Sequence, residues 1–277
     1  MISLSSPVTD SLTVDSVIES SADSGARRVR DVLRAGARAR NTILIDDEEN
    51  IVQALRNGIR LNGIYVTNDP PALSDEVRAA AWSDRIPIHR LARAVADELF
   101  AGEKRTRVFA LATHPHPYTL DDVARRAGDI VVLDGVRLTG NVGAITRTAA
   151  ALGGAGIALI GSGLTSVFDR RLIRSSRGLV FTLPVALACR GEMHRFLRDA
   201  SATLVSLAPD GTTPLSELAS FSGRVALLLG GERTGASPGL DSLARHRYAV
   251  AMRPSVESLN VSVAGALALY ERHRAPL

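Results

Sequence analysis

The sequence predicts an α/β protein built as two successive alternating units. Short apolar runs rich in Val, Ile and Leu recur between stretches with helical spacing, the pattern of strands joined by crossover helices. The alternation begins twice, and the proline-broken stretch Thr113-His-Pro-His-Pro-Tyr118 separates the two runs. A length of 277 residues accommodates two domains of roughly 100–200 residues each.

Residues 1–24, rich in Ser, Thr, Asp and Val without period, read as a flexible arm. A basic helix follows, with Val29, Leu33 and Ala37 at intervals of four and Arg27, Arg28, Arg30, Arg34, Arg38 and Arg40 around them. A solvated helix face and an RNA-facing arm explain it equally well. Strands are expected over 42–45, 64–67, 86–89 and 108–113, and helices over 48–56, 75–82 and 92–100, giving a mostly parallel sheet in an RNA-binding unit over 25–113. Residues 114–128 read as a linker. The second unit, 129–277, has strands expected at 129–136, 156–161, 179–187, 202–208, 224–231 and 248–252. Its helices are expected at 141–152, 170–176, 192–199 and 259–274.

Composition narrows the function classes. No apolar run approaches the ~20 residues that span a bilayer, and the N-terminus does not read as a secretory signal, so a cytoplasmic protein is expected. One cysteine, Cys189, excludes an internal disulfide framework or a cysteine-cluster metal site, and it reads as a small buried residue. His114 and His116 on the proline-rich stretch lack a third ligand nearby, so no metal is expected. Of 33 cationic residues only Lys104 is lysine. Up to Ala110 there are 15 cationic against 16 acidic residues, and from Leu111 onward 18 against 13, so the second unit carries the positive charge. Within it Arg170, Arg174 and Arg177 share a helix face, and phosphate contact is expected of them over a solvated face or ion pairs.

Three loops at strand ends carry the candidate chemistry, where open α/β sheets bind ligands. The first is Leu138-Thr-Gly-Asn-Val-Gly-Ala-Ile-Thr-Arg147, in which Asn141 suits a helix cap and Gly143 permits close backbone approach. The second, Leu228-Leu-Gly-Gly-Glu-Arg-Thr-Gly235, runs from a buried strand into a glycine turn holding Glu232. The third is Glu257-Ser-Leu-Asn-Val-Ser-Val263, before the last helix. Singly each is common; their order and joint presence are specific.

Together the three loops resemble the motifs of the SpoU (TrmH-type) branch of the SPOUT RNA methyltransferases. The stretches LFAGEKRTRVFALA, VVLDGVRLTGNVGAITRTAAALG, DRRLIRSSRGLVFTLPV and ESLNVSV further resemble the thiostrepton/nosiheptide resistance methyltransferases. The resemblance implies a C-terminal trefoil-knotted SPOUT domain and a smaller N-terminal α/β domain of ribosomal-protein type that binds RNA. It implies S-adenosyl-L-methionine as cofactor, 2′-O-ribose methylation of an adenosine in 23S rRNA, resistance to thiopeptide antibiotics, and a homodimer. Carried onto this sequence, it assigns catalysis to Arg147, Asn141, Glu232 and Asn260. It assigns the cofactor to Leu229, Gly230, Gly231, Val250, Met252, Ser258, Leu259 and Asn260. Gly235 belongs to the second motif, and Arg174, Ser176 and Gly178 to the R-x-S-x-G stretch after the first. RNA contact is expected at Arg27, Arg28, Arg30, Arg170, Arg174 and Arg177. The family pattern is departed from at Ala251, where proline is usual, and at Gly231, where serine often precedes the glutamate.

A ribose hydroxyl is a weak nucleophile at neutral pH and must be positioned and relieved of its proton. Free arginine is protonated and is no base, so Arg147 either has perturbed protonation or binds phosphate and hydroxyl and acts by position. Glu232 suits an orienting carboxylate and Asn141 a hydrogen-bond anchor. A dinucleotide-dependent oxidoreductase fails because Leu152-Gly-Gly-Ala-Gly156 follows a helix where the fingerprint must precede one. A housekeeping 2′-O-methyltransferase acting on tRNA or another rRNA site, and a non-catalytic RNA-binding protein, stay open. Small apolar residues Val263, Ala266 and Ala268 on the last helix suit packing between subunits.

Overall fold

A computed structural model describes residues 15–36, 41–67, 73–101 and 106–274. The N-terminal unit contains β1 (Ser16–Ile18), α1 (Ser24–Ala35), β2 (Thr42–Asp46), α2 (Glu48–Arg56), β3 (Leu61–Val66), α3 (Asp75–Ser83), β4 (Ile88–Leu91), α4 (Arg93–Leu99) and β5 (Val108–Thr113). Local signals place the helix starts. Asp23 accepts from the Gly25 amide at 2.7 Å to open α1, and Ser74 caps α3, whose first turn carries Asp75 and Glu76.

The five strands form one sheet in the order β1-β4-β3-β5-β2. It is mixed, contrary to the parallel expectation: β5 runs antiparallel to both β3 and β2. Helical patterning between strands does not by itself determine their direction, and here the last strand returns between two earlier ones. Within the expected arm, residues 16–18 pair in parallel with β4, burying Ile18. Residues 1–14, and Ala37, Arg38 and Arg40 of the basic stretch, lie outside the described residues.

The expected linker contains a helix, α5 (Leu120–Arg125), opened by a capping box between Thr119 and Asp122. Val123 buries its side chain in the core of the second unit, so the helix belongs to that unit's packing. The chain continues through β6 (Ile130–Asp134), α6 (Thr139–Ala151), β7 (Gly156–Ile160), α7 (Arg170–Ser175), β8 (Val185–Ala188), α8 (Met193–Asp199), β9 (Thr203–Leu207), β10 (Thr213–Pro214), β11 (Val225–Gly230), α9 (Pro238–Asp241), β12 (His246–Ala249) and α10 (Val261–His273). Seven strands, all parallel to their neighbours, run in the order β10-β12-β9-β11-β6-β7-β8. All five residues of β6 and all five of β7 are buried, as a sheet covered on both faces requires.

The strand expected over 179–187 is a 3-10 turn at Leu179–Phe181 followed by β8. Phe181 is buried and stacks on Phe168, and Pro184 precedes the strand, so an apolar stretch continuous in sequence is divided by packing. The strand expected over 248–252 is β12, two residues earlier. Cys189 is exposed because the apolar run ends with β8 just before it. Ala268 is buried in the chain's own core and is not available to a second subunit. The last helix is anchored by Asp129, which accepts from Arg272 Nε at 2.6 Å and from the Val225 amide at 2.7 Å.

Candidate functional site

The ends of β6 and β11 lie side by side, with Asp134 paired to Gly230 in the parallel register. The chain beyond β11 folds into a tight turn in which Gly231 and Gly235 exchange backbone hydrogen bonds of 3.1 and 2.9 Å. Glycine is required here on steric grounds. A Cβ on Gly230 would lie 2.0 Å from the Ala236 nitrogen, and Gly235 holds a φ of +64°. Asp134 braces the turn. Its buried carboxylate accepts from the Ser237 amide at 2.7 Å and from Arg190 at 2.8 and 3.1 Å. Burial pushes this carboxyl upward, but the Ser237 and Arg190 hydrogen bonds outweigh it and hold the group below the ordinary aspartate range.

The turn presents Glu232 to the other two loops. Asn141 Nδ2 donates to Glu232 Oε1 in a short contact. Asn260 Nδ2 reaches Asn141 Oδ1 at 3.2 Å and Glu232 Oε1 at 3.3 Å. One residue from each motif thus meets in a triangle, although they stand 91 and 119 positions apart from Asn141 in sequence. Asn260 is also the cap of α10, its Oδ1 accepting from the Ser262 amide at 2.9 Å and the Val263 amide at 3.4 Å. Asn141 is not a cap. Helix α6 starts two residues earlier with Leu138 at the cap, which turns the Asn141 side chain to Glu232.

Beside the triangle lies a pocket of about 410 Å³ lined by Leu229, Gly230, Gly231, Val250, Met252, Ser258 and Leu259, with Leu207, Asp210, Asp241 and Arg247 at its other side. Seven of the eight residues expected at a cofactor site share this one cavity. The eighth, Asn260, sits in the triangle. Val250 and Met252 reach the cavity from the loop after β12 and not from the strand. Arg147 is exposed on α6 and has no hydrogen-bond or ion-pair partner among the described residues. It lies about 9 Å along the helix axis from Asn141, at 1.5 Å per residue.

The arginines expected to contact RNA divide. Arg27 and Arg28 are exposed on α1, while Arg30 pairs with Glu98 at 3.0 Å. Arg170, Arg174 and Arg177 face the N-terminal unit and are not a free phosphate stripe. Arg170 grips Asp46, Arg174 lies 3.8–3.9 Å from Asp46 and Asp47, and Arg177 is 3.3 Å from Glu49. The acidic run Asp46-Asp47-Glu48-Glu49 was the available signal; it is the complement of the arginine face. Asp134 and Arg190 also escaped sequence reading, although a carboxylate at the end of an apolar strand is where an α/β ligand site forms.

Comparison with known proteins bears on the same regions. Residues 15–126 match the N-terminal domain of thiostrepton-resistance methylases, and residues 129–270 match the SpoU rRNA methylase family. The chain belongs to the SpoU rRNA methylase family. Within this family it is 40% identical over 258 residues to a 23S rRNA (adenosine(1067)-2′-O)-methyltransferase of Streptomyces laurentii, covering 93% of this chain and 95% of that one. It is 38% identical to the enzyme of the same name from Streptomyces azureus, covering 92% and 94%. The crystal structure of the SpoU methyltransferase AviRb from Streptomyces viridochromogenes, in complex with AdoMet, superposes with a TM-score of 0.74 at 25% identity, covering 91% of this chain and 97% of that one.

Proposed function

We propose that this SpoU-family chain is an S-adenosyl-L-methionine-dependent methyltransferase acting on the ribose 2′-hydroxyl of an adenosine in 23S rRNA, and that the product confers resistance to thiopeptide antibiotics. The observation that carries the reading is the convergence of Asn141, Glu232 and Asn260 beside one pocket. The cavity fits the cofactor: its volume lies in the range of small-molecule sites, roughly 300–1,000 Å³, and its walls mix apolar side chains with the backbone of the glycine turn. A Cβ on Gly235 meets no atom within 4 Å, so that side of the turn is open. Leu229, Gly230, Gly231, Val250, Met252, Ser258, Leu259 and Asn260 would hold the cofactor, without a metal. When bound, the cofactor supplies an electrophilic methyl group on a sulfonium.

The chain's own residues do the rest. Glu232, held by the two asparagines, keeps the turn and the two flanking loops in one arrangement. Arg147 points to solvent, where the ribose arrives. A guanidinium offers donors and no acceptor, so Arg147 positions the hydroxyl and stabilises negative charge developing on it, and the proton leaves to water. Arg27 and Arg28 give the N-terminal unit an exposed cationic edge for phosphate.

The reading includes a homodimer. Val263, Leu267 and Tyr270 leave an exposed apolar stripe on α10 at intervals of four and three. The knotted path that the resemblance implies is supported by β12 returning past β9, away from β11, before α10 packs back on α6. The reading includes a cytoplasmic location, in keeping with an rRNA substrate.

Purified protein with labelled cofactor tests the reading on a 23S rRNA fragment carrying the thiopeptide-binding region and on tRNA. The expected product is one 2′-O-methyladenosine in the rRNA fragment, absent with Arg147→Ala, which still binds cofactor. Methylation of a base, or of tRNA alone, overturns the substrate; no transfer to any RNA, with RNA binding intact, favours a non-catalytic protein.

A further inference from the structure

We propose that Arg170 is a positioning residue: with Asp46 it forms a buried latch by which the N-terminal unit holds α7 against the helix carrying Asn141 and Arg147. The inference rests on the methyltransferase reading above and adds to it a mechanical link between the two units.

The latch is built from both sides. Asp46, the last residue of β2, is fully buried. Arg170, the first residue of α7, meets it with two parallel contacts, Nη2 to Oδ1 at 2.8 Å and Nε to Oδ2 at 2.5 Å. This is the bidentate geometry that a planar guanidinium gives with a carboxylate. The guanidinium carbon also lies 5.0 Å from the centre of the Phe100 ring, another N-terminal residue. Only 15% of the Arg170 side chain is accessible. Burial raises the Asp46 carboxyl above the ordinary aspartate range, and Arg170 and Arg174 offset only part of that rise. Arg174 and Arg177 extend the contact to Asp47 and Glu49 on the surface. A phosphate cannot use the Nε and Nη2 donors that Asp46 occupies.

The other face of α7 touches the site helix with nothing between. A Cβ on Gly143 would lie 2.2 Å from Ser175 Oγ and 2.5 Å from the Ser175 carbonyl carbon. Ser175 Oγ donates to the Thr139 carbonyl at 2.8 Å, and Thr139 is the first residue of α6. Asn141 follows two residues later. A six-residue helix is thus clamped between β2 and the start of α6. Close-packed backbones transmit displacement rather than absorb it, so where the N-terminal unit sits sets where Asn141 and Arg147 stand.

The test replaces both charges at once, Asp46→Leu with Arg170→Met, because removing one partner strands a buried charge while apolar replacement of both is tolerated. In wild type and variant, kcat, the KM for the rRNA fragment, cofactor affinity and amide exchange over residues 139–147 are measured. The expected result is a kcat lower by about tenfold or more, with the RNA KM and cofactor affinity within about twofold and faster exchange over 139–147. Ser175→Ala, which spares the ion pair, is expected to do the same more weakly and decides the matter if the double variant does not fold. Arg56→Gln, which breaks only the surface pair with Glu76, is the control and stays at wild-type activity. Unchanged exchange in Ser175→Ala and the double variant overturns the latch whether or not the wild type methylates rRNA. A rise in RNA KM at constant kcat overturns it too, by assigning Arg170 to RNA contact. An inactive wild type whose exchange still responds overturns the substrate reading alone.

Discussion

Asn260 performs two tasks with opposite ends of one amide, and two substitutions separate them. Its Oδ1 caps α10, accepting from the Ser262 and Val263 amides, and its Nδ2 donates to Asn141 and Glu232. Asn260→Ala removes both ends. Loss of a helix cap costs about 0.5–2 kcal/mol; at the central value the melting temperature falls by about 2–4 °C for a domain of this size. Asn260→Asp keeps the cap oxygen, and its charge suits a helix N-terminus. But it replaces the donor 3.3 Å from Glu232 Oε1 with a second carboxylate oxygen. Two like charges at that distance repel by about 1 kcal/mol even in bulk water, and the lost hydrogen bond to a charged group removes about 1.5–3 kcal/mol more. Together these amount to roughly two to three powers of ten in any step that needs the triangle intact. Scanning fluorimetry and a methyl-transfer assay at saturating RNA are the two readouts. The expectation is Asn260→Asp melting near wild type and nearly inactive, and Asn260→Ala both destabilised and impaired. Wild-type turnover in Asn260→Asp would refute the role of the triangle, and an unshifted melting temperature in Asn260→Ala would refute the cap.

Other perturbations follow from the same geometry. Gly143→Ala drives a methyl into Ser175, and overpacking of about 1–3 kcal/mol is expected to lower the melting temperature and the turnover together; a fully stable, active variant contradicts the close contact of α6 and α7. Asp134 has a folded-state pKa depressed by Ser237 and Arg190 against burial, so its contribution is complete above the ordinary aspartate value of 3.8 and is lost as pH falls through the lower folded value. Urea midpoints at pH 7 and pH 3 are therefore expected to differ less in Asp134→Asn than in wild type, with the variant less stable at pH 7; equal pH dependence would remove Asp134 from the account. Leu267→Asp introduces a charge into the exposed stripe of α10 and is expected to give a monomer by sedimentation at micromolar concentration, while a dimer that persists places the subunit contact elsewhere.

The sequence by itself determined the strands and helices that depend on local pattern and burial on both faces, and the residues of the three loops. Strands β6, β7 and β11 are runs of Val, Ile, Leu, Ala and Gly, closed in β6 by Asp134, that suit the middle of a covered parallel sheet. Glycine turns announce themselves because few other residues tolerate those backbones; the caps do not, since Asn141 lies inside α6 and it is Asn260 that caps α10. Tertiary structure alone decided direction, partnership and who faces whom. The antiparallel β5, the divided stretch around Phe181 and the docked helix α5 all depend on neighbours distant in sequence. So do the fates of the arginines: Arg147 is exposed without a partner among the described residues, and Arg170 is spent on Asp46, 124 positions away. A guanidinium's charge is a property of the residue, but what it binds depends on which carboxylate or phosphate the fold brings within hydrogen-bond reach, and local pattern carries no record of that distance.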